Sequence, residues 1–128
     1  MRSFIFALCS LLWMYVIFYL SSITGDQLGP DTLVINLVKK SGHTVIFGIL
    51  AVLYLYALKG RQSLREAGAG IFLMSLLFAL LYAVSDEYHQ SFIPGRHSSG
   101  TDIFIDICGA LTALAILYGT KTRKKWEH

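Results

Sequence analysis

Half of the acidic residues of this chain, four of eight, lie in one short stretch between two strongly apolar runs. They are Asp86, Glu87, Asp102 and Asp106, and the loop between the two pairs carries Arg96. Carboxylates near a histidine or a cation can transfer protons, lock helices together by ion pairs, or orient a charged ligand. This stretch is therefore the first candidate for a functional site.

Helical spacing places several polar groups on shared helix faces. Residues three or four positions apart are neighbours on a helix surface. The spaced pairs are Lys40 with His43, Glu87 with Gln90, and Asp102 with Asp106. A charge within lipid costs on the order of 2.5–3.5 kcal/mol on insertion scales and normally faces a partner inside the bundle. We therefore expect Glu87 or Asp106 to meet a cation, either Lys40 or Arg96.

Three interpretations of this cluster are open. The first is a structural ion-pair lock between helices, and the second is a binding or catalytic pocket in which His43 acts with Glu87 or Asp106. The third is a divalent metal held by the side chains of Glu87, His89, Asp102 and Asp106. The metal is the weakest of the three, because the chain lacks an HExxH-like or paired-carboxylate spacing. We expect no metal and no cofactor.

Arg96 follows Pro94-Gly95 and has two candidate roles. Its planar guanidinium could clamp a carboxylate or another anion. The same arginine could equally position the turn in which it lies.

The composition predicts a membrane protein. Of the 128 residues, 55% are hydrophobic and 15% are charged, and the mean hydropathy is +0.57. An ordinary soluble domain has about 25% charged residues, and so few charges cannot cover the large relative surface of a small globule. The net charge of +3 does not indicate a nucleic-acid partner, because the basic residues lie at the ends of apolar runs.

Four apolar runs predict an all-α membrane protein, an antiparallel bundle of four transmembrane helices in one domain spanning residues 1–128. The helices are expected near 4–20, 33–58, 67–90 and 102–118. At 1.5 Å per residue, each with its flanks crosses about 30 Å of hydrocarbon. The first run exceeds a signal-peptide core of about 7–15 residues, so we expect a retained helix. Asp31 or Thr32 is expected to cap the second helix.

The positions of lysine and arginine predict the orientation. Arg2, the connector 59–65 and the basic tail 121–125 share one side of a four-span protein, and this side is predicted to be cytoplasmic, with both termini. The acidic stretch then faces outward. Counting residues from the cytoplasmic ends places His43 and Asp106 about one turn deeper than Lys40 and Asp102. Three helices thus bring ionisable groups to one level near the outer leaflet.

These motifs resemble the VanZ-like family of small bacterial membrane proteins. One half of the resemblance is Lys40-x-x-His43. The other half is Asp86-Glu87-x-x-Gln90-x-Phe92-x-Pro94-Gly95-Arg96, followed by Asp102-x-x-x-Asp106-x-x-Gly109. The resemblance covers roughly residues 33–117. By position, the family-like residues are Lys40, His43, Glu87, Gln90, Arg96, Asp102 and Gly109. At position 106 the family commonly has asparagine, so Asp106 is a departure that adds a buried negative charge.

The resemblance implies a multi-pass protein of the bacterial cytoplasmic membrane that acts at the cell envelope. The family is named for a member associated with reduced susceptibility to teicoplanin, a lipoglycopeptide that acts on cell-wall precursors. We expect this chain to bind an amphiphile, either a lipoglycopeptide or a lipid-linked cell-wall precursor, among membrane lipids. The expected ligand-binding residues are Lys40, His43, Glu87, Gln90, Arg96, Asp102 and Asp106.

Two other functions are compatible with the sequence. One is an intramembrane enzyme acting on a lipid or cell-wall intermediate, with Glu87 or His43 as general base. The other is a structural or transporter-like subunit. Four helices leave little room for a transport pathway, so that function would require a homo-oligomer.

Overall fold

The protein is a bundle of four α-helices. The computed structural model describes residues 1–30 and 32–123, with side chains as far as Thr120. The helices are α1 (Arg2–Ser21), α2 (Leu33–Leu58), α3 (Ala69–Gln90) and α4 (Gly100–Arg123), and a short 3-10 helix, Gly25–Leu28, joins α1 to α2. Each α-helix is long and apolar enough to cross a membrane, and the described residues contain no strand. The predicted four-span, all-α class is confirmed.

The helix ends follow local sequence signals. Thr32 caps α2, since its Oγ1 accepts a hydrogen bond from the backbone N–H of Ile35 at 3.3 Å. The bounds of α2 coincide with the predicted ones, whereas α4 continues past the predicted end at 118. Asp31, the other candidate cap, lies outside the described residues. So does the end of the basic tail, residues 124–128.

The bundle exposes many large apolar side chains, and several small ones lie where its helices meet. Leu11, Leu12 and Phe104 are 60%, 67% and 68% exposed, respectively. Ala51, Ala79 and Ala110 are fully buried between the helices. Small residues let helix backbones approach closely, and in lipid it is packing rather than exclusion of water that holds helices together. The surface therefore suits a lipid environment.

The most extensive helix–helix contact joins α2 and α4. At its centre, the backbone of Gly109 lies directly against Thr44, and a Cβ atom at position 109 would overlap the carbonyl oxygen of Thr44. His43 precedes Thr44 in the chain, and Asp106 lies about one helical turn from Gly109. The close approach of these two backbones therefore brings His43 and Asp106 to the same place.

Polar side chains attach α1 to the other helices. Trp13 Nε1 donates a hydrogen bond to the carbonyl oxygen of Ile46 in α2 at 3.0 Å. The Tyr82 hydroxyl, on α3, donates to the carbonyl oxygen of Met14 at 2.6 Å. A donor without a partner is costly in hydrocarbon, so each bond favours the docked position of α1.

We expect Tyr82→Phe to lower the free energy of unfolding by about 0.5–1.5 kcal/mol, the usual net contribution of one hydrogen bond. The measurement is equilibrium unfolding in mixed detergent micelles followed by circular dichroism. Tyr15→Phe is the matched control, because Tyr15 is 66% exposed on α1. Equal stability of the two variants would contradict an anchoring role for the Tyr82 hydroxyl.

Candidate functional site

A cavity of about 690 Å³ opens at the end of the bundle where α1 connects to α2 and α3 connects to α4. This loop-end cavity falls within the range of about 300–1,000 Å³ that is typical of ligand pockets. One face of α2 contributes Asn36, Lys39, Lys40 and His43. The other elements contribute Gly25, Asp26, Leu28, Gly29, Pro30, Gln90, Gly95, Arg96, His97, Asp102 and Ile105. The cavity thus places charged and polar groups beside apolar ones at the end of an apolar bundle.

Lys40 meets Asp102 across the cavity. Its Nζ lies 3.8 Å from Asp102 Oδ1, and the two side chains are 49% and 30% exposed. The expected partner of Lys40, Glu87 or Asp106, is therefore incorrect. Asp102 lies level with Lys40, one turn nearer the start of α4 than Asp106 does. An exposed pair of this kind contributes about 0–1 kcal/mol, so a ligand can displace it at little cost.

His43 and Asp106 form the deepest ionisable pair of the site. His43 Nδ1 lies 3.3 Å from Asp106 Oδ1, and the Asp106 side chain is fully buried. The two atoms are within ion-pair distance but are not aligned for a hydrogen bond. Within the described part of the chain, neither carboxylate oxygen of Asp106 has a hydrogen-bond partner. His43 lines the cavity, and Asp106 lies behind it.

Arg96 joins the α3–α4 loop to the end of α1. Its Nη2 donates to the carbonyl oxygen of Leu20 at 3.0 Å and its Nε to that of Ile23 at 3.1 Å. Its Nη1 lies 3.4 Å from Gln90 Oε1. Carbonyl groups at a helix C-terminus lack partners within the helix, and the guanidinium supplies additional donors to the carbonyl oxygens at and just after the end of α1. Arg96 also lines the cavity, so its contacts are compatible with both roles considered from the sequence.

The acidic residues around Arg96 support its charge. Burial lowers the pKa of the Arg96 guanidinium from its ordinary value, and the carboxylates of Asp86, Glu87 and Asp102 oppose that shift. The loop is also held to the 3-10 helix by backbone contact, because the N–H of Gly25 donates to the carbonyl oxygen of Pro94 at 3.1 Å. The wall of the cavity is therefore built from both connections.

Gln90 and Glu87 are buried and bonded to protein groups. Gln90 Nε2 donates to Asp86 Oδ2 at 2.8 Å and lies 3.3 Å from Ser21 Oγ. Glu87 Oε2 accepts from the backbone N–H of Ser99 at 2.9 Å, just before α4 begins. A carboxylate at a helix N-terminus is favourable because it meets unpaired N–H groups and the positive end of the helix dipole. Glu87 is outside the cavity lining, whereas Gln90 reaches it.

His89 faces α1 rather than the other acidic residues. Its Nε2 lies 2.9 Å from Ser22 Oγ, and its ring stacks on Phe18 with 4.4 Å between ring centroids. Across residues 1–30 and 32–123, no group of three or more histidine, cysteine, aspartate or glutamate residues is placed to hold a metal ion. The four residues of the metal interpretation therefore do not form a metal group.

Several residues of the site are not among those predicted from the sequence. Asn36 lies four and seven residues before Lys40 and His43, so the helical spacing that singled out those two also predicts its position on the same face of α2. Ser21 and Asp26 had no comparable signal, because they reach the site only through the packing of α1 and the loop after it. His97, in the loop between α3 and α4, also lines the cavity. His128 lies outside the described residues.

Four helices that can each cross a membrane, connected by short loops, define a multi-pass membrane protein. The model of the VanZ/LLP1 family matches residues 6–121, almost the whole chain. The chain therefore belongs to the VanZ/LLP1 family, which confirms the resemblance of its motifs. Comparison with proteins of curated function and with solved structures gave no match.

Proposed function

We propose that this VanZ/LLP1-family protein binds the anionic head group of an amphiphile in the loop-end cavity. The amphiphile is a lipid-linked cell-wall precursor or a lipoglycopeptide, and binding changes the cell envelope or its susceptibility to teicoplanin-type antibiotics. The protein lies in the bacterial cytoplasmic membrane with both termini in the cytoplasm, so that the cavity opens near the outer leaflet.

The charge of the cavity lining is the observation that carries this proposal. Among the residues that the structure describes, three permanently charged cations and two carboxylates line the cavity. The cations are Lys39, Lys40 and Arg96, and the carboxylates are Asp26 and Asp102. The positive charges of Lys40 and Arg96 can attract an anion, and the weak Lys40–Asp102 pair can open to admit one.

The apolar surface next to the cavity supports an amphiphile rather than a small soluble anion. Leu37, beside the cavity-lining Asn36, is 56% exposed. Phe104, beside the cavity-lining Ile105, is 68% exposed. A ligand can therefore place its head group among the charges while its chains lie along the outer surface of α2 and α4.

The distribution of basic residues supports the orientation. Arg2 and the α2–α3 connection, with Lys59, Arg61 and Arg65, lie at the end of the bundle opposite the cavity. Lysine and arginine in short loops mark the cytoplasmic side of a membrane protein. The cavity then belongs to the outer half of the membrane, where cell-wall precursors and lipoglycopeptides are met.

We expect Lys40→Gln to weaken the binding of an anionic lipid by about tenfold, or about 1.4 kcal/mol. The probe is short-chain phosphatidylglycerol, titrated into the purified protein in detergent and compared with short-chain phosphatidylcholine. Lys59→Gln is the matched control, because Lys59 lies at the other end of α2, where its Nζ donates to the carbonyl oxygen of Gln62.

Two results would contradict the proposed binding site. One is equal affinity for the anionic and the zwitterionic lipid. The other is equal affinity of the Lys40→Gln and Lys59→Gln proteins for phosphatidylglycerol. The resistance component is tested separately, by the teicoplanin susceptibility of bacteria that produce the wild-type or the Lys40→Gln protein at matched levels.

The His43–Asp106 pair favours a second candidate function, an intramembrane enzyme. A carboxylate 3.3 Å from Nδ1 can orient an imidazole whose other nitrogen acts on a substrate. The test is incubation of purified protein with lipid-linked phosphate esters. Turnover that is lost in His43→Gln would support the enzyme, and intact lipids after long incubation would count against it.

A further inference from the structure

The buried carboxylate of Asp106 needs a compensating proton. Its side chain is fully buried, and neither oxygen has a hydrogen-bond partner among the described residues. The cationic group within ion-pair distance is the His43 imidazole, at 3.3 Å. An isolated buried carboxylate is very costly, and such groups are normally neutralised by a partner or by protonation. One additional proton, on either group, makes the pair electrically neutral.

Neighbouring charges increase this requirement. The groups around the pair are Lys39 and Lys40 on α2, Asp86 and Glu87 on α3, Arg96 in the loop and Asp102 on α4. Asp86 and Glu87 are both buried, and each has one carboxylate oxygen without a partner. Lys40 is already paired with Asp102, and the single positive charge of Arg96, which is bonded to neutral carbonyl oxygens, faces both Asp86 and Glu87. A further buried negative charge at Asp106 would therefore be repelled.

The additional proton determines whether Nε2 of His43 is a hydrogen-bond donor or an acceptor towards the cavity. If Asp106 is ionised, the imidazolium carries protons on both nitrogens. If Asp106 is protonated, its hydroxyl faces Nδ1, and the neutral ring keeps its proton on Nε2. In both arrangements Nε2 is a hydrogen-bond donor. Only loss of the additional proton leaves Nε2 as an acceptor, with Nδ1–H facing an ionised Asp106.

The ring orientation directs this donor towards the ligand. His43 Nδ1 is buried on the side of Asp106, while the His43 side chain remains 25% exposed and lines the cavity. The ring edge available to the cavity is therefore the one that carries Nε2. A negatively charged ligand oxygen in the cavity would accept from this N–H and would stabilise the protonated pair.

We propose that the loop-end cavity binds a phosphate-ester head group together with one proton held by the His43–Asp106 pair, so that His43 Nε2–H donates to a ligand oxygen. This inference rests on the proposed function and adds a ligand contact and a proton stoichiometry to it. It also makes His43 a donor, not a general base, while the ligand is bound. As pH rises, the ligand-free pair gives up this proton, whereas the ligand oxygen that accepts from Nε2–H holds it in place. Binding at the higher pH therefore takes up a proton, and affinity falls as pH rises.

The test is titration calorimetry of the full-length protein in detergent with short-chain phosphatidylglycerol, between about pH 6 and 8. Its phosphodiester stays singly charged in this range, so any proton taken up belongs to the protein. Two buffers with different ionisation enthalpies report the number of protons. We expect uptake approaching one proton at the upper end, with affinity falling at most about tenfold per pH unit.

Asp106→Asn provides the matched variant. The new amide is nearly isosteric with the carboxylate, and together with His43 it has the same net charge as the protonated wild-type pair. We expect this variant to bind phosphatidylglycerol with the low-pH affinity of the wild type throughout the range, without proton uptake. The wild-type measurement needs no variant, so it decides the question even if Asp106→Asn does not fold.

The outcomes separate this inference from the proposed function. Preferential binding of phosphatidylglycerol that is independent of pH and takes up no proton would overturn the inference alone. Undiminished proton uptake by Asp106→Asn would overturn the assignment of the proton to this pair. Failure to prefer phosphatidylglycerol over phosphatidylcholine at any pH would overturn the proposed function, and the inference with it.

Discussion

Alanine at Gly109 is expected to lower the free energy of unfolding by about 1–3 kcal/mol, the usual cost of overpacking a close contact. The added methyl group would overlap the carbonyl oxygen of Thr44 on α2. Backbone atoms cannot rotate away as a flexible side chain can, so α2 and α4 must separate. Packing holds these helices together in lipid, and the separation therefore acts directly on stability.

Gly42→Ala is the control for this prediction. A Cβ atom at position 42 meets no atom within 4 Å, and alanine is favoured over glycine in a helix by about 0.8–1.0 kcal/mol. We expect this variant to be at least as stable as the wild type. Equilibrium unfolding in mixed detergent micelles, followed by circular dichroism, measures both. If Gly109→Ala were as stable as Gly42→Ala, the close approach of α2 and α4 would be wrong.

The Gly109 variant also has a functional consequence. Thr44 follows His43 in the chain and Gly109 lies about one turn after Asp106, so separation of the helices there increases the 3.3 Å distance between Nδ1 and Oδ1. We expect Gly109→Ala to bind phosphatidylglycerol more weakly than Gly42→Ala does, measured under conditions in which both proteins are folded. This result would show that the contact between α2 and α4 supports ligand binding in the cavity.

Lysine at Arg96 is expected to cost about 1.5–3 kcal/mol of stability, the contribution of hydrogen bonds made by a charged group. Arg96 donates to acceptors on three residues, Leu20, Ile23 and Gln90. A guanidinium can reach them together because its donors are spread over a planar fork, whereas the ammonium of lysine is a compact point charge. Lysine retains the positive charge, so the loss of stability measures the contribution of the hydrogen-bond geometry of the guanidinium. Arg61→Lys is the control, because Arg61 is exposed in the α2–α3 connection.

This pair of variants separates the two roles considered for Arg96. A structural role predicts that Arg96→Lys unfolds more easily than Arg61→Lys in the same detergent. A role confined to ligand binding predicts equal stability and a selective loss of phosphatidylglycerol affinity. Equal stability together with unchanged affinity would contradict both.

The four apolar helices, and the common level of His43 and Asp106 along them, were predictable from the sequence. A transmembrane helix is recognised by the length of its apolar run, a local property that needs no knowledge of neighbouring helices. Counting along each run at a fixed rise placed His43 and Asp106 at one level. The structure joins these two residues at 3.3 Å. Helical spacing likewise placed Lys40 on the same face of α2 as His43.

The partner of each charged group was not predictable in this way. Lys40 meets Asp102 rather than Glu87 or Asp106, and Glu87 accepts from the N–H of Ser99. Arg96 bonds to the carbonyl oxygen of Leu20 in α1, a helix with no acidic residue to suggest the contact, and to that of Ile23 just after it. Backbone acceptors are present at every residue, so the sequence does not distinguish the ones that a guanidinium will reach.

The acidic stretch between two apolar runs, and the level along the helices at which it lies, were thus determined by the sequence alone, because the rise of a helix per residue is constant. The tertiary structure decided which groups meet, which carboxylates stay without a partner and where the cavity opens. Those outcomes depend on how each helix is rotated and how closely it approaches its neighbours. The contact of Gly109 with Thr44 sets that approach for α2 and α4, and it becomes visible only when the helices are packed.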